Sequence, residues 1–155
     1  MDGVGVIVAD TGAMLALLDR GDSHHESMRD LYSAEPNAWI LPWAILPEVD
    51  YLAATRLGDH AQRLWFGDLA TGAFIVEWSK DADLAAAQAI AERYSSLSIG
   101  LVDAVVMAIA ERLRADIATL DLRHFAAVQL RHAPRLLPRD GSSAITPSRR
   151  RPRRS

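Results

Sequence analysis

Residues 4–12 read Val4-Gly5-Val6-Ile7-Val8-Ala9-Asp10-Thr11-Gly12, an apolar run that stops at a carboxylate. The run is short and rich in valine and isoleucine, which is the chemistry of a strand buried on both faces. The residues after it, Ala13-Met14-Leu15-Ala16-Leu17-Leu18, suit a helix. A strand-to-helix turn with Asp10 at its tip puts the carboxylate at the carboxyl edge of a sheet, where open α/β sheets bind their ligands.

Outward from that stretch, strands and helices alternate. Apolar, β-branched or aromatic runs predict strands near residues 38–41, 73–78 and 116–120, with an edge strand somewhere in 126–138 before Pro138. Helices are expected over residues 13–20, from Asp22 or Ser23 onward, from Pro47, over 60–69, over 82–95 and over 101–113. Pro47 fits a first helical position, where its missing N–H costs nothing. Gly21 and Gly72 stand where helices end. The alternation predicts an α/β sandwich with a mainly parallel central sheet flanked by helices. Trp65 and Phe66 are neighbours on one expected helix and cannot both face one core, so one is a candidate for a subunit interface.

A chain of 155 residues suits one domain with its own core. The sequence divides into a folded part, residues 1–138, and a tail, 139–155, rich in Gly, Ser, Pro and Arg and expected to be disordered. There is no cysteine, which excludes disulfides, zinc-thiolate sites and thiol nucleophiles. That absence, with no readable secretory signal and no membrane-length apolar stretch, fits a cytoplasmic protein. The formal charge is −3, but five arginines lie among residues 149–154; without them residues 1–148 carry −8. An acidic body does not attract a polyanion by bulk electrostatics, so metal ions would have to supply local positive charge.

Three further acids join Asp10 as candidates. Glu48 follows Pro47, but Asp50 lies at the other edge of the same apolar stripe, and periodicity does not choose between them. Asp103 heads a helical stripe with Met107 and Ala110, with no lysine or arginine one turn away. An ionised side chain there needs a compensating partner. Asp121 closes Asp116-Ile117-Ala118-Thr119-Leu120-Asp121, a second strand that ends on an acid. Carboxylates gathered in one crevice raise one another's pKa and call for a cation. Oxygen donors without His or Cys suit Mg²⁺, with Mn²⁺ as a substitute, rather than zinc. The implied chemistry is phosphodiester hydrolysis by water activated on the metal. The glycine-rich phosphate loop of NTPases is absent. A non-catalytic, receiver-like Mg²⁺-binding module is disfavoured, because Asp10 has no adjacent acid partner and the chain's lysine, Lys80, precedes Asp103.

Four pieces of the sequence carry a resemblance. They are Val8-Ala9-Asp10-Thr11-Gly12 with Leu17-Leu18-Asp19-Arg20; Leu46-Pro47-Glu48-Val49-Asp50-Tyr51-Leu52; Ile99-Gly100-Leu101-Val102-Asp103-Ala104; and Ala118-Thr119-Leu120-Asp121-Leu122-Arg123-His124-Phe125. In this order and spacing the chain resembles a PIN-domain ribonuclease, and more closely a VapC-type toxin of a bacterial toxin–antitoxin pair. The resemblance implies a PIN-like sandwich and a Mg²⁺-dependent endoribonuclease. Its acidic quartet would be Asp10, Glu48, Asp103 and Asp121, which selects Glu48 over Asp50. Asp10 and Asp103 would be the main ligands, and Glu48 and Asp121 would complete the shell or act through water. Thr11 would hydrogen-bond Asp10 or a water on the metal. Gly12 departs from the serine of many relatives. The resemblance also implies a homodimer, assembled into a heterotetramer or larger with a VapB-like antitoxin, and an RNA substrate. An RNA-processing nuclease without antitoxin is the alternative within the same fold. The arginine tail lies outside the family pattern, either as a contact for RNA phosphates or as an extension.

Overall fold

The computed structural model describes residues 5–144. Five short strands form one sheet: β1 (Ile7–Ala9), β2 (Trp39–Pro42), β3 (Ile75–Glu77), β4 (Asp116–Ala118) and β5 (Leu136–Leu137). Their order is β3-β2-β1-β4-β5 and every pairing is parallel. The stretch that opens the sequence is thus the central strand, with Val8 opposite Ile40 on one side and Ile117 on the other. β1 is flanked on both edges and fully buried, which is why its sequence reads as a continuous apolar run rather than an alternation.

The helices are α1 (Thr11–Leu18), α2 (His25–Ala34), α3 (Leu46–Leu57), α4 (Asp59–Thr71), α5 (Asp81–Arg93), α6 (Leu101–Leu113) and the single turn α7 (Leu122–Phe125). α6 is the buried helix: Ala104 to Ala110 are all inside. It packs on α5, β1 and β2. Alanines at 104, 108 and 110 keep the helix narrow, while Val105, Val106, Met107 and Ile109 fill the core. Leu101, the first residue of the helix, is 63 % exposed, because the helix begins beyond the edge of the core.

Trp65 is fully buried and packs against Phe74, whereas its neighbour Phe66 points outward. Arg139–Ala144 forms a 3₁₀ segment rather than the irregular start of a tail. Asp140 accepts the Leu136 N–H, fastening this segment to β5. The arginines at 149–154 and the rest of the expected tail lie outside the described residues.

Strand order changes direction beside β1. The chain proceeds from β1 to β2 and β3 on one side, then returns to place β4 on the other. Parallel α/β sheets open a crevice at such a point, because the connections leaving the two adjacent strands diverge. Asp10 leaves β1 there, and Thr119 to Asp121 leave β4.

Candidate metal centre

Both strand-end aspartates cap the helix that follows. Asp10 has extended backbone and its Oδ1 accepts the Ala13 N–H at 2.8 Å, closing the first turn of α1. Asp121 Oδ1 accepts the His124 N–H at 3.3 Å and starts α7. An N-cap carboxylate satisfies a backbone donor that would otherwise have no partner. The same interaction fixes the side chain at the carboxyl edge of the sheet. Glu48 and Asp103 come from the first turns of α3 and α6.

All four acids line one open crevice of about 300 Å³, together with Thr11, Gly12, Leu15, Leu52 and Arg56. Asp50 is elsewhere: its carboxylate accepts from Gln62 Nε2 at 2.8 Å and ties α3 to α4. The choice that periodicity left open is made by which face of α3 looks into the crevice.

Burial orders the acids. Asp10 is 4 % exposed. Its desolvation raises the carboxyl pKa from 3.8 to about 6, against hydrogen bonds from Thr119 and Ala13 that lower it; Asp103 and Asp121 raise it further. Asp103 is also raised, first by desolvation and then by the charges of Asp121 and Glu48, with the His124 hydrogen bond opposing. A partly dehydrated set of carboxylates is unfavourable by itself and favourable around a cation.

The donor chemistry fits a metal ion. The carboxylates present hard oxygens. Thr11 Oγ1 is buried in the same lining and has no hydrogen-bond partner among the described residues. Buried hydroxyls are ordinarily bonded, so an unpaired one beside the acids is consistent with a ligand or its water. Of the two partners expected for Thr11, Asp10 or a water on a metal, Asp10 is not bonded to it. The hydroxyl that donates to Asp10 Oδ2 belongs to Thr119, and Thr119 Oγ1 also accepts the Asp121 N–H at 3.0 Å. One buried threonine therefore joins the two strand-end acids.

Residues 7–130 match the family model described as the PIN domain. The chain belongs to the PIN-domain family. It is 32 % identical over 124 residues to Ribonuclease VapC26 of Mycobacterium tuberculosis, covering 79 % of this chain and 92 % of that protein. Its fold is similar to that of VapC20 of M. tuberculosis, described as a toxin that cleaves the sarcin-ricin loop. That comparison gives a TM-score of 0.70 at 21 % identity and covers 78 % of this chain and 93 % of the other. DNA-bound VapBC from Salmonella typhimurium gives a TM-score of 0.66 at 16 % identity, covering 86 % and 97 %. The two structural likenesses show the fold.

In this PIN domain the structure adds two residues that sequence reasoning missed. Thr119 lies two positions before Asp121, and the period of an extended chain places both on one face. His124 brings its Nδ1 to 3.2 Å from Asp103 Oδ2 and 3.5 Å from Asp121 Oδ2. Ligand atoms of Asp103, Asp121 and His124 all lie within 4.8 Å of one another, so the three can hold a metal ion. A histidine therefore stands beside the oxygen donors, where the sequence pointed to carboxylates alone. The available signal was the three-residue step from Asp121 to His124, one helical turn after a strand-end acid.

Proposed function

We propose that this PIN domain is a Mg²⁺-dependent endoribonuclease and the toxin of a type II toxin–antitoxin pair. The observation that carries the reading is a crevice lined by Asp10, Glu48, Asp103 and Asp121 in a chain 32 % identical to a ribonuclease. Asp10 and Asp103 are the principal metal ligands, with Glu48 and Asp121 completing the shell directly or through water. A bound divalent cation supplies activation of water and charge stabilisation on the leaving oxygen. Mn²⁺ can substitute, as both ions accept oxygen donors.

The chain's own side chains supply position and charge. Thr119 holds the Asp10 carboxylate toward the crevice and fixes the turn that presents Asp121. Thr11 Oγ1 is available to a metal ligand or its water. Arg56, the basic member of the lining, is placed to pair with a phosphate of the RNA, for which a guanidinium is suited.

The partners follow from the relatives. Structural neighbours include VapBC assemblies from Salmonella typhimurium and Rickettsia felis bound to DNA, and a VapB-like antitoxin is the proposed regulator here. The toxin is proposed to be a homodimer that forms a heterotetramer or larger with that antitoxin, in the cytoplasm. Among the described residues no helix is long and apolar enough to cross a membrane.

Incubating the purified chain with cellular RNA tests the proposal. Cleavage is expected with Mg²⁺, stops with EDTA and returns when Mg²⁺ or Mn²⁺ is restored. Undiminished cleavage in EDTA would contradict metal dependence. No cleavage of any RNA, with an antitoxin-free and folded chain, would contradict the activity.

A further inference from the structure

We propose that His124 is a nitrogen ligand of this metal centre and biases it toward Mn²⁺ over Mg²⁺, an inference that rests on the metal-dependent reading above. The ring is held beside two of the crevice acids. His124 sits in the single turn α7, whose start is fixed by Asp121, and its side chain is 19 % exposed. Its Nδ1 faces two acids on different elements, Asp103 of α6 at 3.2 Å and Asp121 at 3.5 Å. An octahedral ion with bonds of 2.0–2.1 Å separates adjacent ligand atoms by about 3 Å, so these spacings approach those of neighbouring corners around one ion. The unpartnered, buried Thr11 hydroxyl lies in the lining shared with Asp103 and Asp121. It is a second, independent sign that the crevice bounded by these two acids is built around something bound.

Donor chemistry then sets the preference. Mg²⁺ takes oxygen ligands and keeps several waters. Imidazole suits transition ions, and replacing one oxygen donor by nitrogen favours them over an alkaline-earth ion. If His124 served only to orient Asp103 by donating a hydrogen bond, its loss would weaken both ions alike. If it is a ligand, its loss falls mainly on Mn²⁺. The two roles are therefore separable by selectivity.

The experiment loads the purified full chain with Mn²⁺ and records electron spin-echo envelope modulation, with Mn²⁺ and competing Mg²⁺ affinities measured by the free-Mn²⁺ signal. Wild type is expected to show modulation from a directly bound nitrogen, which changes when the chain is grown with isotopically labelled histidine. His124→Gln is expected to lose that modulation and about tenfold in Mn²⁺ affinity, the lower end of what disturbing a metal site costs, with Mg²⁺ affinity changed less than about twofold on the same reasoning. The labelled wild type shows whether one of the five histidines binds the ion, and modulation that persists in His24→Gln, His25→Gln, His60→Gln and His132→Gln assigns it to His124 even where His124→Gln does not fold. Mn²⁺ bound without nitrogen modulation would overturn the ligand assignment and leave the metal centre standing. Equal losses of both ions in a folded His124→Gln would overturn the selectivity. A wild type that binds no Mn²⁺ would overturn the metal centre and this ligand together.

Discussion

Asp10 is a residue whose function works against stability. Its carboxyl pKa stands near 6 in the folded chain against 3.8 for the ordinary group. Between those values the native chain keeps a proton that the unfolded chain has lost, so stability falls as pH rises from about 4 to about 6. Above that window the difference amounts to roughly 3 kcal/mol. Asp10→Asn keeps an N-cap acceptor for Ala13 and removes the buried charge. The variant should therefore abolish RNA cleavage while raising the melting temperature of the metal-free chain at pH 7.5. The gap between the two chains should shrink toward pH 5, as wild-type Asp10 protonates. A variant less stable than wild type at both pH values would contradict the assigned cost of burial. The same titration predicts weaker metal binding below pH 6, since protons compete for the ligand; calorimetry at pH 7.5 and 5.5 measures it. Asp10, Asp103 and Asp121 were nameable from sequence as acids at strand ends and a first turn, whereas Glu48 was separated from Asp50 only by the resemblance to the family. Thr119 and His124 were not nameable, because each acts across elements, Thr119 between β1 and β4 and His124 toward α6, and a linear pattern carries no such distance.

At the scale of elements, α6 is held to its surroundings by one arginine as well as by apolar packing. Arg112 meets Asp83 of α5 at 2.8 and 3.0 Å and Glu77 of β3 at 2.7 Å. The Asp83 carboxylate, 3 % exposed, also accepts the Lys80 N–H that opens α5. Arg112 is itself a quarter exposed, but removing it strands the buried Asp83 charge. Arg112→Met is expected to cost about 3 kcal/mol in urea unfolding. A loss below about 1 kcal/mol would place the pair among weak surface bridges instead. Because α6 also carries Asp103, the variant should bind metal more weakly wherever the helix shifts. The strand and helix sequence was legible because hydrophobic period and glycine or proline punctuation act locally. β1 could be read from its apolar run, and the edge strand before Pro138 from the position of the proline. The extent of α6 was legible too, but not the exposure of its first residue: Leu101 belongs to an apolar run, yet lies past the end of the core. Arg139–Ala144 was also hidden, since its order comes from Asp140 reaching back to β5.

Across the whole molecule, topology does what no single motif can. With β1 central and β4 returning on its far side, the ends of both strands meet at one crevice. Helices α3 and α6 then bring Glu48 and Asp103 to the same place. The sequence made the parallel sandwich and the ligand edge readable, but the meeting of the acids depends on strand order, which alternation alone leaves open. The charge distribution gives the metal its importance: residues 1–148 carry −8, so an RNA strand approaches a like-charged body and needs positive charge at the cleavage point. The most direct measurement is cleavage of cellular RNA by the purified chain in Mg²⁺, with wild type and Asp10→Asn compared at equal concentration and their product ends mapped. The account predicts defined cleavage ends with wild type and none with the folded Asp10→Asn. The same ends at the same rate from Asp10→Asn would contradict it.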